Sequence, residues 1–307
     1  MRLLTRSDFD GLVCGALLKH LGIIESWHFV HPKDMQDGIV SVTQNDVLAN
    51  VPFVPGCGMW FDHHATEIER MGKNNAAPGE CRLAPSAARV IYEYYNGLEK
   101  MPHFQNLVLA CDKVDSGQLE ADEIQNPKGG VLLGFIMDPR TGLGRFRNFR
   151  ISNLELMARL LDCCSTMSVD EILEMPDVQE RVALYWEQDA KFKQMLSEYT
   201  TVDHNVIITD LRQVSPIWAG NRFMLYSLHM EQNVSVWVVD GRAGLNVAIA
   251  IGHSVLNRTC KAHIGQLCFS YGGGGHRQVG TCQVDIDRAD EVLGQIVAAL
   301  KAADMAF

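Results

Sequence analysis

Over roughly the first 120 residues, short β-rich runs alternate with segments whose apolar residues recur at helical spacing. The runs Arg2 to Arg6, Ser26 to Val30, Val47 to Val51 and Gly58 to Phe61 predict strands. Gly11 to Leu21 and Ser86 to Tyr95, the latter entered through Pro85, predict helices, and Phe104 to Cys111 predicts a buried one. From Ser152 to about Tyr199 the pattern is helical throughout, with Asp170 and Asp177 placed as caps. Beyond Val202 the texture turns to β, at Asn205 to Ile208, Val234 to Asp240 and Leu245 to Ile251, before a closing amphipathic helix from Ala289 to Ala302. The chain is therefore expected to be α/β. Residues 1–195 should form a doubly wound, mostly parallel sheet with flanking helices and a helical linker. Residues 200–307 should form a smaller α/β domain, with the site in the cleft between the two. No internal repeat or low-complexity tract is visible.

Composition supports two domains: 307 residues with 47% hydrophobic content fill two ordinary cores. The net charge of −10, from 37 acidic against 27 basic side chains, excludes sequence-blind adhesion to long nucleic acid or to an anionic membrane. A polyanionic ligand must meet a local basic patch. Nine cysteines without a CxxC read as free thiols in a reducing cytoplasm. The short stretch from Met1 to Asp8 leaves no room for a secretory apolar region, and no apolar run reaches membrane-spanning length, so a cytoplasmic location is expected. Monomer and homodimer both stay open.

Asp8-Phe9-Asp10-Gly11 falls between the first strand and the first helix, which places two carboxylates at the carboxyl edge of the sheet, where α/β folds bind ligands. Alone, such a segment reads equally as an acidic helix cap. Asp62-His63-His64 leaves the apolar run Met59-Trp60-Phe61, and three ionisable residues at the end of a buried strand are hard to justify by packing. Carboxylate and imidazole together suit Mn²⁺, Co²⁺, Zn²⁺ or Fe²⁺ better than Ca²⁺. Asp112 and Asp115 end another apolar segment and either cap or ligate. Far along the chain, Tyr271-Gly272-Gly273-Gly274-Gly275-His276-Arg277 offers backbone N–H groups beside two basic side chains, a construction suited to phosphate oxygens. The basic and aromatic stretch Arg140 to Arg150 admits a single-strand groove, but reads better as a solvated loop with packed aromatics.

DFDG, FDHH, ACDKVDSG and a late GGGGH, in that order, resemble the motifs of the DHH phosphoesterase superfamily with its DHH-associated C-terminal domain, over essentially the whole chain. Gly252-His253-Ser254, Asn257-Arg258 and the compact length look most like exopolyphosphatase-related members. The resemblance implies a metal-dependent phosphohydrolase acting on a small phosphorylated substrate: short polyphosphate, or alternatively a short oligonucleotide or cyclic nucleotide. It implies that Asp8, Asp10, His63 and Asp115 ligate the metal, that Asp62 orients the ligand histidine, and that His64 faces the scissile phosphate. Gly273, Gly274, Gly275 and His276, with His253, Ser254 and Arg258, would hold the substrate. Mn²⁺ is the expected ion, with Co²⁺, Mg²⁺ and Zn²⁺ as alternatives.

Two departures from the family pattern matter. Arg6 stands where the family has His, and Asn50 where it has an Asp bridging two metals; Asp46 is the nearest carboxylate but sits at the opposite end of that strand. Both fall on the same metal position, so one tightly bound ion is expected, with Arg6 as a fixed positive charge for the substrate. A catalytically reduced phosphate-binding sensor is the alternative of another class.

Overall fold

Five short strands carry the first part of the chain: β1 (Arg2–Thr5), β2 (Ser26–Phe29), β3 (Asp46–Ala49), β4 (Met59–Asp62) and β5 (Gly79–Cys81). They form a wholly parallel sheet in the order β2-β1-β3-β4-β5. The computed structural model describes residues 1–71, 77–241 and 244–305. Parallel strands joined by crossovers are covered on both faces, which explains why β1 and β3 read as near-continuous apolar runs: Leu3, Leu4, Val47, Leu48 and Ala49 are all fully buried. The strand order reverses between β1 and β3, and the crevice at such a reversal is where open α/β sheets take ligands. Thr5 pairs with Ala49, so the two chain segments that follow leave the sheet at the same level.

The helix Phe9–His20 buries Leu12, Val13, Leu17 and Leu18 and packs against Ala87–Tyr94, Gln105–Ser116 and Asn153–Cys163. The helix Gly129–Met137, which the apolar pattern does not announce, is buried from Val131 through Met137. Being apolar all round, it shows no amphipathic period. The helical stretch resolves into Asn153–Cys163, Val169–Leu173 and Pro176–Tyr199. Its caps are Ser152 and Ser168, each in a reciprocal capping box with Glu155 or Glu171, rather than the expected Asp170 and Asp177. Asp170 lies in the first turn, and the buried Asp177 pairs with Arg159.

Contacts divide the chain into two compact units, Met1–Gln118 with Asn126–Tyr185, and Leu119–Gln125 with Trp186–Phe307. The division falls within Pro176–Tyr199, and Ala121–Gln125 belongs to the second unit. That unit holds β6 (Thr200–Asp203), β7 (Val206–Asp210), β8 (Val234–Asp240), β9 (Val247–His253), β10 (Gly274–Gly275) and β11 (Val279–Val284) in the order β10-β11-β9-β8-β7-β6. Only β7 and β8 run parallel. Alternate residues Val234, Val236, Val238 and Val247, Ile249, Ile251 face one core, closed by Val292, Ile296 and Leu300 of the helix Ala289–Met305. β5, β6, β10 and β11 are not legible in the sequence, being short, polar or glycine-rich. Among the described residues, no helix is long and apolar enough to cross a membrane.

Candidate metal centre

Asp8 leaves β1 in extended conformation and caps the helix Phe9–His20, its Oδ1 accepting from Gly11 N at 3.0 Å. A Cβ on Gly11 would lie 2.1 Å from the carbonyl oxygen of Arg6, so this turn admits only glycine. Two residues on, the buried Asp10 accepts from Ala87 N through Oδ2 at 2.9 Å and from Ala88 N through Oδ1 at 2.8 Å. These amides open the helix Ala87–Tyr94, whose positive end favours a carboxylate there. The thiols of Cys14 and Cys111 stand 3.7 and 3.5 Å from the same Oδ1. Burial and the surrounding carboxylates push both thiols well above the ordinary cysteine range, which keeps them protonated donors. Burial, reinforced by Asp115, raises the Asp10 carboxyl to about 6.

The end of β4 supplies the imidazole. His63 Nδ1 lies 3.1 Å from the carbonyl oxygen of Ala84, which can only accept, so Nδ1 carries the proton and Nε2 presents its lone pair. That buried Nε2 has no hydrogen-bond partner. It lies 3.3 Å from Asp115 Oδ2 and 3.7 Å from Asp10 Oδ2. Ligand atoms bound at about 2.0–2.2 Å to one ion stand at about this separation from one another. Asp10, His63 and Asp115 thus form a ready-made three-ligand group, and its oxygen-rich, single-imidazole chemistry fits a divalent transition ion.

Asp8 and Asp62 depart from their expected roles. Asp8 Oδ1 also accepts from Asn50 Nδ2 at 3.0 Å, and its Oδ2 faces Arg6 Nε at 3.2 Å. Both oxygens are engaged by protein donors, and Asp8 stands outside the three-ligand group. Burial raises its pKa, while Arg6 opposes the rise. Asp46 sits at the far end of β3 on Arg2, at 2.6 Å, and takes no part. Asp62 holds the ring of His64, not that of the candidate ligand His63: its Oδ1 lies 2.8 Å from His64 Nδ1. The ring of His63 lies beside that of His64, with centroids 4.3 Å apart, but turns its Nδ1 to Ala84 O rather than to Asp62. Burial opposes protonation of His64, but the hydrogen bond and charge of Asp62 outweigh it and raise the pKa above the ordinary histidine value. Asp112 also stands outside the three-ligand group; Ser86 Oγ at 2.7 Å and Arg89 Nε at 2.9 Å hold its carboxylate.

In the second unit the glycine run is not an open cradle. The N–H groups of Gly272, Gly273 and His276 donate to the carbonyls of Phe269, Cys268 and Val279 at 3.1, 2.9 and 2.7 Å. Gly275, at φ 151°, would place a Cβ 2.2 Å from Val279 O, so this glycine serves the tight hairpin with β11. His276 is exposed at the tip. His253 and Ser254 are engaged within the second unit: His253 Nε2 lies 2.9 Å from Ala262 O, and Ser254 Oγ accepts from Leu256 N and Asn257 N. Arg258 stays exposed while donating Nε to Val255 O at 2.9 Å.

No family model and no curated protein matches the chain. Solved structures do. A pGpG-specific phosphodiesterase from Vibrio cholerae is 43% identical, with a TM-score of 0.86 over 98% of this chain and 99% of its own. A DHH-domain structure described as a member of the s1p family of ribosomal proteins shares 11% identity, at a TM-score of 0.54 over 97% and 85% of the two chains. An exopolyphosphatase-related protein from Bacteroides fragilis shares 12%, at 0.50 over 98% and 92%. At those two identities the likeness is one of fold alone. The first match, joined to the ordered motifs and to the buried carboxylate–imidazole group at the switch point, establishes that the chain belongs to the DHH phosphoesterase superfamily.

Proposed function

We propose that the protein hydrolyses the phosphodiester of a short linear dinucleotide such as pGpG, using one divalent cation, Mn²⁺ foremost, held by Asp10, His63 and Asp115. The observation that carries this reading is the 43% identity, over nearly the full length of both chains, to a pGpG-specific phosphodiesterase. It moves the substrate from polyphosphate to a short nucleotide, one of the alternatives the motifs had left open.

The bound ion would acidify a water and neutralise phosphate oxygens. The rest of the work falls to the chain. Ala84 fixes the tautomer of His63, and the amides of Ala87 and Ala88 hold Asp10 against rotation. His64, whose protonated form Asp62 favours, can give a proton to the departing alkoxide. Arg6 and Asn50 support a single ion, because they occupy the oxygens of Asp8 that a second ion would need. In the second unit, the exposed His276 and Arg258 are the candidate side chains for a phosphate contact. Nine free cysteines suit a reducing cytoplasm.

The test offers purified protein with Mn²⁺ to pGpG, a cyclic dinucleotide and short polyphosphate. Guanosine monophosphate from pGpG, lost on chelation and restored by one equivalent of metal, is expected. Turnover surviving exhaustive chelation, or hydrolysis of polyphosphate with none of pGpG, would overturn the reading.

A further inference from the structure

Asp8, Phe9, Asp10, Val114, Asp115, Gly134 and Asp138 share a small cavity with one cation, Arg140. The sequence pattern puts this arginine at the head of a stretch that reads as solvated loop, yet it stands beside the metal ligands. Its setting is built. Asp138, 6% exposed, accepts through Oδ1 from both the backbone N–H and the Nε of Arg140, at 2.8 and 2.7 Å, within the 3₁₀ turn Pro139–Thr141. The guanidinium is thereby oriented before any ligand arrives. No other hydrogen bond to its side chain exists among the described residues, which leaves the N–H donors of both Nη groups. The Arg140 side chain is 42% exposed, so a ligand can reach it.

Charge points the same way. Asp8, Asp10, Asp115 and Asp138 all line the cavity. Arg6 balances one of these carboxylates and a divalent cation two more, so without Arg140 an incoming phosphodiester would meet a net negative pocket. Partial burial opposes the charge of Arg140, but Asp138, Asp115 and Asp8 outweigh it and hold its pKa above the ordinary arginine value.

We propose that Arg140 is the phosphate anchor of this site, a guanidinium that binds the non-bridging oxygens of the substrate phosphate beside Asp10 and Asp115. The inference rests on the hydrolytic reading above, but its test does not need turnover. Inorganic phosphate binding to the manganese-loaded protein is measured by calorimetry for the parent, Arg140→Gln and Arg140→Lys, with metal content by elemental analysis and the melting temperature alongside. Loss of a charge-assisted pair should weaken phosphate binding about 10- to 100-fold in Arg140→Gln, with Lys recovering only part because it keeps the charge but not the fork. Metal content should be unchanged, and the KM for pGpG should rise with the phosphate dissociation constant. Equal phosphate affinity in parent and Arg140→Gln overturns the inference, as does a parent that binds no phosphate. So does a lowered melting temperature as the sole effect, which would leave Arg140 only a partner for Asp138. A parent that binds phosphate through Arg140 yet leaves pGpG intact would sink the substrate reading and keep the anchor.

Discussion

Replacing Asn50 by Asp tests the proposal that this site takes a single ion. Asn50 is 2% exposed at φ 56°, a conformation that Asp adopts as readily as Asn, so the substitution changes charge without changing shape. Its Nδ2 stands 3.0 Å from Asp8 Oδ1. The Asn50→Asp variant would put two carboxylates at that distance, and at an effective dielectric of about 20 their repulsion is about 5 kcal/mol. The pair escapes by keeping one proton, as coupled carboxylates do, and holding it at about pH 7 against an ordinary pKa near 3.9 costs about 4 kcal/mol. The smaller figure governs, so metal-free Asn50→Asp should melt roughly 8–16 °C below the parent near neutrality. The carboxyl pKa is raised by folding, so the penalty vanishes below the unfolded value, where both states are protonated, and grows as pH rises through the folded one. Scanning fluorimetry with a chelator at acid and neutral pH reads both effects. Adding Mn²⁺ should restore the melting temperature and raise the bound metal from one equivalent toward two. A variant as stable as its parent at neutral pH without metal, or a parent that already holds two equivalents, would refute the reasoning.

Three further outcomes follow from the same geometry. His63→Ala should lose tight metal binding and with it at least about 100-fold in activity, while the fold persists by circular dichroism; retained stoichiometric metal would place the ion elsewhere. Because burial lifts Asp10 to about 6, Mn²⁺ affinity should climb with pH up to about that value and then level off, and the metal-free protein should gain stability as pH falls from about 7 toward 5; an affinity flat from pH 5 to about 7 would contradict the raised carboxyl. His64→Asn should lower kcat by about 10²- to 10³-fold with metal content intact, and parent activity should fall as pH rises through the raised His64 pKa; an unaltered kcat would remove His64 from the chemistry.

The ordered motifs point to four ligands because the family's chemistry demands hard oxygens and an imidazole at strand ends, and strand ends are legible as breaks in apolar runs. The structure gathers three of them, Asp10, His63 and Asp115, and leaves Asp8 outside for a reason of pairing. A residue's type says what it can ligate, but its neighbours in space say whether its oxygens are available. Asn50 lies 42 residues further along the chain, and only the register of β1 against β3 brings it to Asp8. The glycine run is likewise legible as a place where side chains would not fit. That the N–H groups of Gly272 and Gly273 turn back to Phe269 and Cys268 at the end of the preceding helix, and that of His276 crosses to Val279 of the partner strand, is not named by the run itself.

By itself, then, the amino-acid order determined the two α/β halves, the place of DFDG at the carboxyl edge of the first sheet, and the candidacy of Asp10, His63 and Asp115 as a metal set. Each depends on local periodicity or on a motif contiguous in sequence. The tertiary structure alone decided which histidine Asp62 serves, that Cys14 and Cys111 back the candidate ligand Asp10, that Arg6 and Asn50 close off Asp8, and that Arg140 lines the same cavity as Asp10 and Asp115. The physical reason is one of range. A hydrogen bond or an ion pair falls off within a few ångströms, and a pattern along the chain fixes neither which remote segments come that close, as Asn50 does to Asp8 and Cys111 to Asp10, nor which way neighbouring side chains such as Asp62 and His64 turn.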